Sequence, residues 1–289
     1  VKQLCIHTIT TKPWQLQEAL DNYCKQQVGG ISIWQDAVQT IGTAEAGKLI
    51  AQYPIEVVSY VRGGFFPHAT SEHRQKAITH NKQMLDEAAD IGAPMLVLVS
   101  GAEPSVNLNE SRKQIQAGIE AILPHAQAVG VKLAIEPLHP MYADTRSAIN
   151  TLKQANDMAV AINSDFVGVA LDVYHVWWDD TLEQEIERCG ALNKLFAFHI
   201  CDWKVPTNDI LLDRGLMGEG CIDLKAIKHW VNQAGFDGFH EVEIFSNIHW
   251  AKNQHQFLAE IIAAYQDYSA LEAHVNSKTI VNNVQTTLT

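Results

Sequence analysis

The sequence predicts a single (β/α)8 barrel of the TIM type, in the α/β class, on three observations. The chain has 289 residues, near the roughly 250 that one such barrel needs. Eight strand-length apolar runs recur along it, and amphipathic segments lie between them. Apolar residues make up 47% and charged residues 19%, a balance that supplies a sizeable core and excludes a mainly disordered chain.

In chain order the runs cover residues 4–9, 30–34, 55–61, 94–99, 131–136, 167–172, 195–201 and 238–245. Their apolarity is continuous rather than alternating, as expected of strands buried on both faces in a parallel sheet wrapped by helices. Stretches 71–91 and 109–129 carry helical periodicity, with Ser71 and Arg74 forming only half a capping box. Ser164-Asp165 and Gly235-Phe236-Asp237-Gly238 supply turns back to strand. Eight alternating units in one domain fit a closed barrel better than an open doubly wound sheet. No GxGxxG follows the first run, which removes the main argument for a dinucleotide fold. The barrel is expected to span 1–267. Residues 268–289 read as a polar tail outside it, free to pack on a second copy, so a homo-oligomer stays open.

The formal net charge is −12, from 33 acidic and 21 basic residues. Such a surface repels a polyanion, and no Lys/Arg run builds a local basic cleft, so nucleic acid is not an expected partner. No apolar run approaches the ~20 residues that span a bilayer, so no membrane association is expected. Cys5, Cys24, Cys189, Cys201 and Cys221 are scattered and never form a CxxC pair, as expected of mostly buried thiols in a reducing compartment. The opening residues lack the pattern of a signal peptide, and the expected location is cytoplasmic.

Barrel chemistry sits at the C-terminal ends of the strands. The fifth run closes on Ile135-Glu136-Pro137, the sixth on Leu171-Asp172-Val173, the seventh on Phe198-His199-Ile200 and the eighth on Glu241-Val242-Glu243. Four consecutive strands thus finish with metal-competent side chains that a barrel brings together across its mouth. A carboxylate buried at the end of an apolar strand costs several kcal/mol unless compensated, and three of them repel one another. One divalent cation resolves both difficulties. Period-two alternation puts Glu241 and Glu243 on the same side; Glu243, nearer the strand end, is the better ligand, and Glu241 is expected to be structural or to support the ligands. One imidazole with three carboxylates favours Mn²⁺, with Mg²⁺ and Co²⁺ close behind and Zn²⁺ left open.

At these residues the sequence resembles the xylose-isomerase-like β/α barrels, a superfamily of sugar phosphate isomerases and epimerases. It includes D-tagatose 3-epimerase-type ketose epimerases, hydroxypyruvate isomerase, inosose dehydratase and endonuclease IV. The likeness spans the barrel, with its specific motifs in the second half. It implies that Glu136, Asp172, His199 and Glu243 are the metal ligands and that His175 binds a substrate oxygen. Arg214, in Asp213-Arg214-Gly215-Leu216-Met217-Gly218-Glu219-Gly220, resembles a substrate-binding arginine that precedes a Gly-x-Gly turn, although the segment leading to it from His199 is longer than in the ketose epimerases. The Asp-x-His pair that endonuclease IV-type enzymes place between their histidine and final glutamate ligands is absent, which argues against a DNA repair hydrolase.

The resemblance implies an epimerase or isomerase acting on a small sugar or cyclitol, a ketose for instance. The metal polarises a carbonyl, and two glutamates move a proton through an enediolate. Glu136 and Glu243 are the expected acid/base pair. Loss of a β-hydroxyl instead would give a lyase resembling inosose dehydratase, and a non-catalytic binding barrel is a third reading. His139 is a further candidate for substrate contact, and Trp178, beside Trp177, for stacking on a sugar face. His7, ending the first strand, is a candidate to line the mouth, with a satisfied core histidine as the commoner reading on an apolar strand, and Asp202 and Lys204 read as solvated loop charges. Basic and Gly-rich donors for a phosphate are sparse in the loops after strands seven and eight, so an unphosphorylated substrate is expected.

Overall fold

The computed structural model describes residues 1–270. Its strands are β1 (Leu4–His7), β2 (Gly30–Trp34), β3 (Glu56–Gly64), β4 (Met95–Val99), β5 (Lys132–Glu136), β6 (Val167–Asp172), β7 (Leu195–Ile200), β8 (Asp202–Trp203), β9 (Arg214–Gly215) and β10 (His240–Val242). Eight of them close a barrel in the order β1-β10-β7-β6-β5-β4-β3-β2, and every pair in it is parallel. The remaining two, β8 and β9, pair antiparallel as a hairpin inserted after β7, with Trp203 opposite Arg214. The predicted single barrel is therefore the observed fold. The last barrel strand is shorter than its apolar run: it ends at Val242, and the Glu243 amide extends the ladder by donating to the Ile200 carbonyl at 3.2 Å.

Helices cover the outside. The two long ones, Ser71–Asp90 and Leu108–Val129, match the two periodic stretches. The first is capped by Thr70, whose hydroxyl accepts from the His73 amide, rather than by Ser71. The second starts on Asn107, which accepts from the Glu110 amide, and stops at left-handed Gly130. The last helix, Gln254–Ala270, carries Tyr268, which is buried against β10 through a 2.8 Å bond between its hydroxyl and His240 Nδ1. Residues 271–289 of the expected tail lie outside the described residues. No helix among the described residues is long and apolar enough to cross a membrane. All five cysteines are free; Cys221 is exposed, whereas Cys5, Cys189 and Cys201 are buried.

Two cores follow from strand alternation. Leu96, Leu98, Leu133, Ile135, Leu171 and Phe198 face outward into the main core under the helices. Val61, Met95, Val97, Ala134, Ala170 and Ala197 form a separate small cluster inside the barrel. One pleat step above those alanines stand Glu136, Asp172 and His199, so the same alternation that turns the alanines inward turns the functional side chains inward.

Candidate metal centre

Glu136, Asp172, His199 and Glu243 are all buried, and each offers a ligand atom within 4.8 Å of the others. His199 Nδ1 lies 3.0 Å from Glu136 Oε1. Asp172 also caps the short helix Val173–Val176, its Oδ1 accepting from the Tyr174 amide at 2.8 Å. Arg214 Nη1 donates to Asp172 Oδ2 at 2.9 Å and to Glu243 Oε2 at 2.8 Å. That guanidinium is sandwiched between rings, 4.4 Å from the Tyr174 centroid and 5.0 Å from that of Phe245. Arg214 thus arrives where the sequence places it, at the mouth, but bonded to two expected metal ligands.

Below this group lies a second one, His7, His199 and Glu241. Glu241 Oε2 bonds His7 Nε2 at 3.0 Å, accepts from the Ser32 hydroxyl at 2.5 Å and lies 3.8 Å from His199 Nε2. His7 is buried, and it is also part of the site. Its Nδ1 sits 3.1 Å from Glu243 Oε1, and the Trp34 indole points at the same nitrogen at 3.1 Å. A neutral ring with its proton on Nε2 accepts from Trp34, whereas a protonated ring donates to both glutamates.

The electrostatics explain these contacts. Among the described residues, four buried carboxylates, Glu136, Asp172, Glu241 and Glu243, share one ion-paired arginine, Arg214. Burial opposes charge on His199, but Glu241, Glu136 and Glu243 outweigh it and lift the ring to about 10. Burial likewise opposes charge on His7, and Glu243 and Glu241 overcome it. Burial raises Asp172 to about 7 against the pull of Arg214, with Glu243 and Glu136 adding to the rise. Burial works on Glu243 too, yet His7 and Arg214 hold it well below the usual carboxylate range.

The donor set fits a hard divalent cation. The centre has more carboxylate charge than fixed cation, and each carboxylate oxygen keeps a lone pair beyond the bonds just described. His199 fits as well. With Nδ1 facing Glu136, its Nε2 has no hydrogen-bond partner among the described residues and points toward Glu241. A metal-binding imidazole commonly offers its other N–H to a carboxylate in this way. Glu241 stands 3.8 Å from Nε2, on the side where the sequence places it.

The other expected site residues divide. His175 is buried, with Nε2 3.3 Å from Arg214 Nη2 and 3.6 Å from Asp172 Oδ2. Burial and then Arg214 hold it well below its ordinary value, so the ring is neutral. Since Arg214 can only donate, Nε2 accepts and the proton sits on Nδ1, which has no partner among the described residues. His139 is half-buried and stacks on Trp203 at 5.3 Å, meeting Trp178 edge-on at 5.6 Å. Trp178 is 37% exposed and ties its indole N–H to the His175 carbonyl at 2.8 Å. It stands on the rim, joined to the cluster through the His175 backbone and meeting His139 edge-on.

Sequence reasoning under-weighted three features. The end of the first strand made His7 a candidate for the mouth, but its apolar context favoured a core histidine. Trp203 gave no signal at all, yet it stacks on Tyr174 at 4.6 Å as well as on His139. Asp202 and Lys204 are not free loop charges. Asp202 is buried and accepts from the amides of Trp203, Gly218 and Ile222. Lys204 pairs with Asp213 at 2.6 Å. These bonds shape the hairpin that presents Arg214. Its tip is tied down where the Tyr142 and Tyr174 hydroxyls both donate to the Ile210 carbonyl, at 2.8 and 2.9 Å. At its base Gly220 is required, since a Cβ would overlap the Trp203 carbonyl.

Comparison with known proteins agrees with this architecture. Inosose isomerase of Bacillus subtilis (strain 168) is 27% identical over 185 residues, 63% of this chain and 64% of the relative, so the match spans a little under two thirds of that protein. The crystal structure of protein SMc04130 from Sinorhizobium meliloti 1021 superposes with a TM-score of 0.89 at 44% identity, covering 92% of this chain and 98% of that one. The structure of IOLI protein with a bound zinc atom superposes at 0.81 with 22% identity, over 92% and 97% of the two chains, and shows the shared fold. Residues 27–261 match the family described as Xylose isomerase-like TIM barrel. With that match over most of its length, the chain belongs to the xylose isomerase-like TIM barrel family.

Proposed function

We propose that this protein is a divalent-metal-dependent isomerase or epimerase of a small sugar or cyclitol. The observation that carries the reading is the convergence of Glu136, Asp172, His199 and Glu243 within 4.8 Å at four inward-facing strand ends. These four would hold the metal. The oxygen-rich set favours Mn²⁺, while the zinc in the IOLI protein keeps zinc a candidate. When bound, the ion supplies a Lewis acid that acidifies the C–H beside a substrate carbonyl.

Glu136 and Glu243 are the proton-moving pair. Glu243 is bonded by His7 and Arg214, and Glu136, among the described residues, by His199. Such unequal surroundings are the condition under which two carboxylates divide acid and base work. His175, with its unpartnered Nδ1–H, donates to a substrate oxygen. Trp203, His139 and Trp178 offer an aromatic wall to the C–H face of a ring. The inosose isomerase relatives make a cyclitol ketone a sensible first substrate.

The test is proton exchange. Protein loaded with Mn²⁺ is incubated in D₂O with inosose and a panel of neutral, carboxylated and phosphorylated ketoses, and deuterium is read by mass at the carbon beside the carbonyl. Exchange is expected, falling at least a hundredfold in Glu136→Gln and Glu243→Gln, with metal content measured alongside. Full exchange in both variants, or none with any substrate, would overturn the proposal. A product lighter by one water would instead assign a lyase.

A further inference from the structure

Two more arginines stand at the mouth and take no part in the carboxylate network. Arg62 lies near the C-terminal end of β3, and Arg146 follows β5 in the segment after the Pro140–Tyr142 turn. Both are half-buried. The Arg62 guanidinium lies 4.8 Å from the Phe65 ring centroid and 6.0 Å from that of Trp34. The Arg146 guanidinium lies 5.6 Å from the Tyr142 centroid. Those rings border the centre: Trp34 bonds His7 and packs on Phe245, and Tyr142 meets His175 edge-on at 5.9 Å. The Arg146 backbone is pinned to the end of β4, its carbonyl accepting from the Gly101 amide at 2.8 Å.

Neither guanidinium has a hydrogen bond or an ion pair among the described residues. This is unlike Arg214, whose donors are largely spent on Asp172, Glu243 and His175. Arg62 is close enough to Arg146, Glu136 and Glu243 to sense their charges; burial first, then Arg146, holds it below its ordinary value. The rings under the two guanidiniums, Phe65 and Tyr142, belong to one apolar cluster with Val99 and Leu138, so two forks of N–H donors without a protein hydrogen bond share one half-buried patch of the mouth. That geometry matches a carboxylate or phosphate, which accepts two parallel N–H bonds from one guanidinium.

We propose that Arg62 and Arg146 form an oxyanion subsite, so that the substrate carries a carboxylate or phosphate at the end remote from its metal-chelating oxygens. This rests on the metal-enzyme reading above, and it names the substrate class as an acidic rather than a neutral polyol. It also revises the expectation of an unphosphorylated substrate: the donors come from β3 and the segment after β5, not from the loops after strands seven and eight. The competing explanation is that the two arginines only offset the carboxylate cluster from a distance.

The experiment compares D-fructose, D-fructuronate and D-fructose 6-phosphate, by calorimetric binding to the full chain without added metal and by deuterium exchange with Mn²⁺ present. Wild type is expected to bind at least one of the two anions at least tenfold tighter than D-fructose, and which anion it prefers identifies the group. Arg62→Met and Arg146→Met are each expected to cut that preference by about tenfold to a hundredfold. Arg62→Lys and Arg146→Lys are expected to restore it only in part, because a point charge replaces the fork. No preference in wild type, no effect of the Met variants, or full restoration by Lys would overturn the subsite; the last outcome would assign simple charge balance. Thermal melts confirm that each variant is folded. Anion preference by calorimetry without exchange of any sugar would support the subsite while counting against the proposed activity.

Discussion

Arg214 Nη1 reaches Glu243 Oε2 at 2.8 Å and, from the same nitrogen, Asp172 Oδ2 at 2.9 Å. One protein cation thus spans two of the four expected metal ligands, and it comes from an inserted hairpin rather than from the barrel.

Removing it leaves two buried carboxylates without their shared countercharge. Arg214→Met is expected to destabilise the metal-free protein by about 3–5 kcal/mol, measured by urea denaturation. Adding Mn²⁺ should shrink the loss, and Arg214→Lys should recover part of it. Equal stability of wild type and Arg214→Met without metal would show that the pair contributes nothing.

Glu241 Oε2 lies 3.8 Å from His199 Nε2 and is itself held by His7 and Ser32. In Glu241→Gln the carboxylate charge is gone while the shape is kept. Mn²⁺ affinity is expected to fall by about tenfold to a hundredfold, read by competition with a chelating dye. Unchanged affinity would reduce Glu241 to a space-filling role.

His240 links pH to stability away from the metal centre. Burial, with Lys228 nearby, lowers this ring from 6.5 to about 4. The folded protein therefore resists a proton that the unfolded chain accepts. The contribution is present in full above pH ~6.5 and is lost as pH falls toward ~4, amounting to about 3 kcal/mol. Urea melts across that range should show wild type losing more stability than His240→Gln, whose side chain can still bond the Tyr268 hydroxyl. Parallel curves would assign the acid sensitivity elsewhere.

Asp202 accepts from three backbone amides at the base of the hairpin. Asp202→Ala leaves them unpaired in a buried setting, at a cost on the order of 1–3 kcal/mol. Because the same hairpin carries Arg214, KM should rise along with the loss of stability. A stability change with KM unmoved would separate the hairpin from substrate binding.

The legible part of this molecule was whatever period and burial encode. Continuous apolar runs located the eight barrel strands, and the polar residue closing four of them located the cluster, because a charge at such a position needs a partner whatever the loops do. Contacts between distant segments left no such mark. His7 meets Glu241 across 234 positions of sequence, and nothing local to His7 distinguishes it from a core histidine. Asp202 looked like a loop charge because its three donors come from backbone amides, which any sequence supplies. Glu241 lay between these cases: alternation gave its direction, and only the closed barrel gave its partners.

The alanines beneath Glu136, Asp172 and His199 carry a further consequence. Each of these three side chains stands two positions beyond an inward alanine, so a one-residue insertion upstream within β5, β6 or β7 would exchange inside for outside. Ile135, Leu171 or Phe198 would then occupy the mouth, and the metal-competent group would be driven into the greasy layer under the helices. Loops of this barrel can lengthen or shorten gradually, as the inserted hairpin illustrates. Its strands admit no such gradual drift, and the centre is kept or lost as a matter of phase.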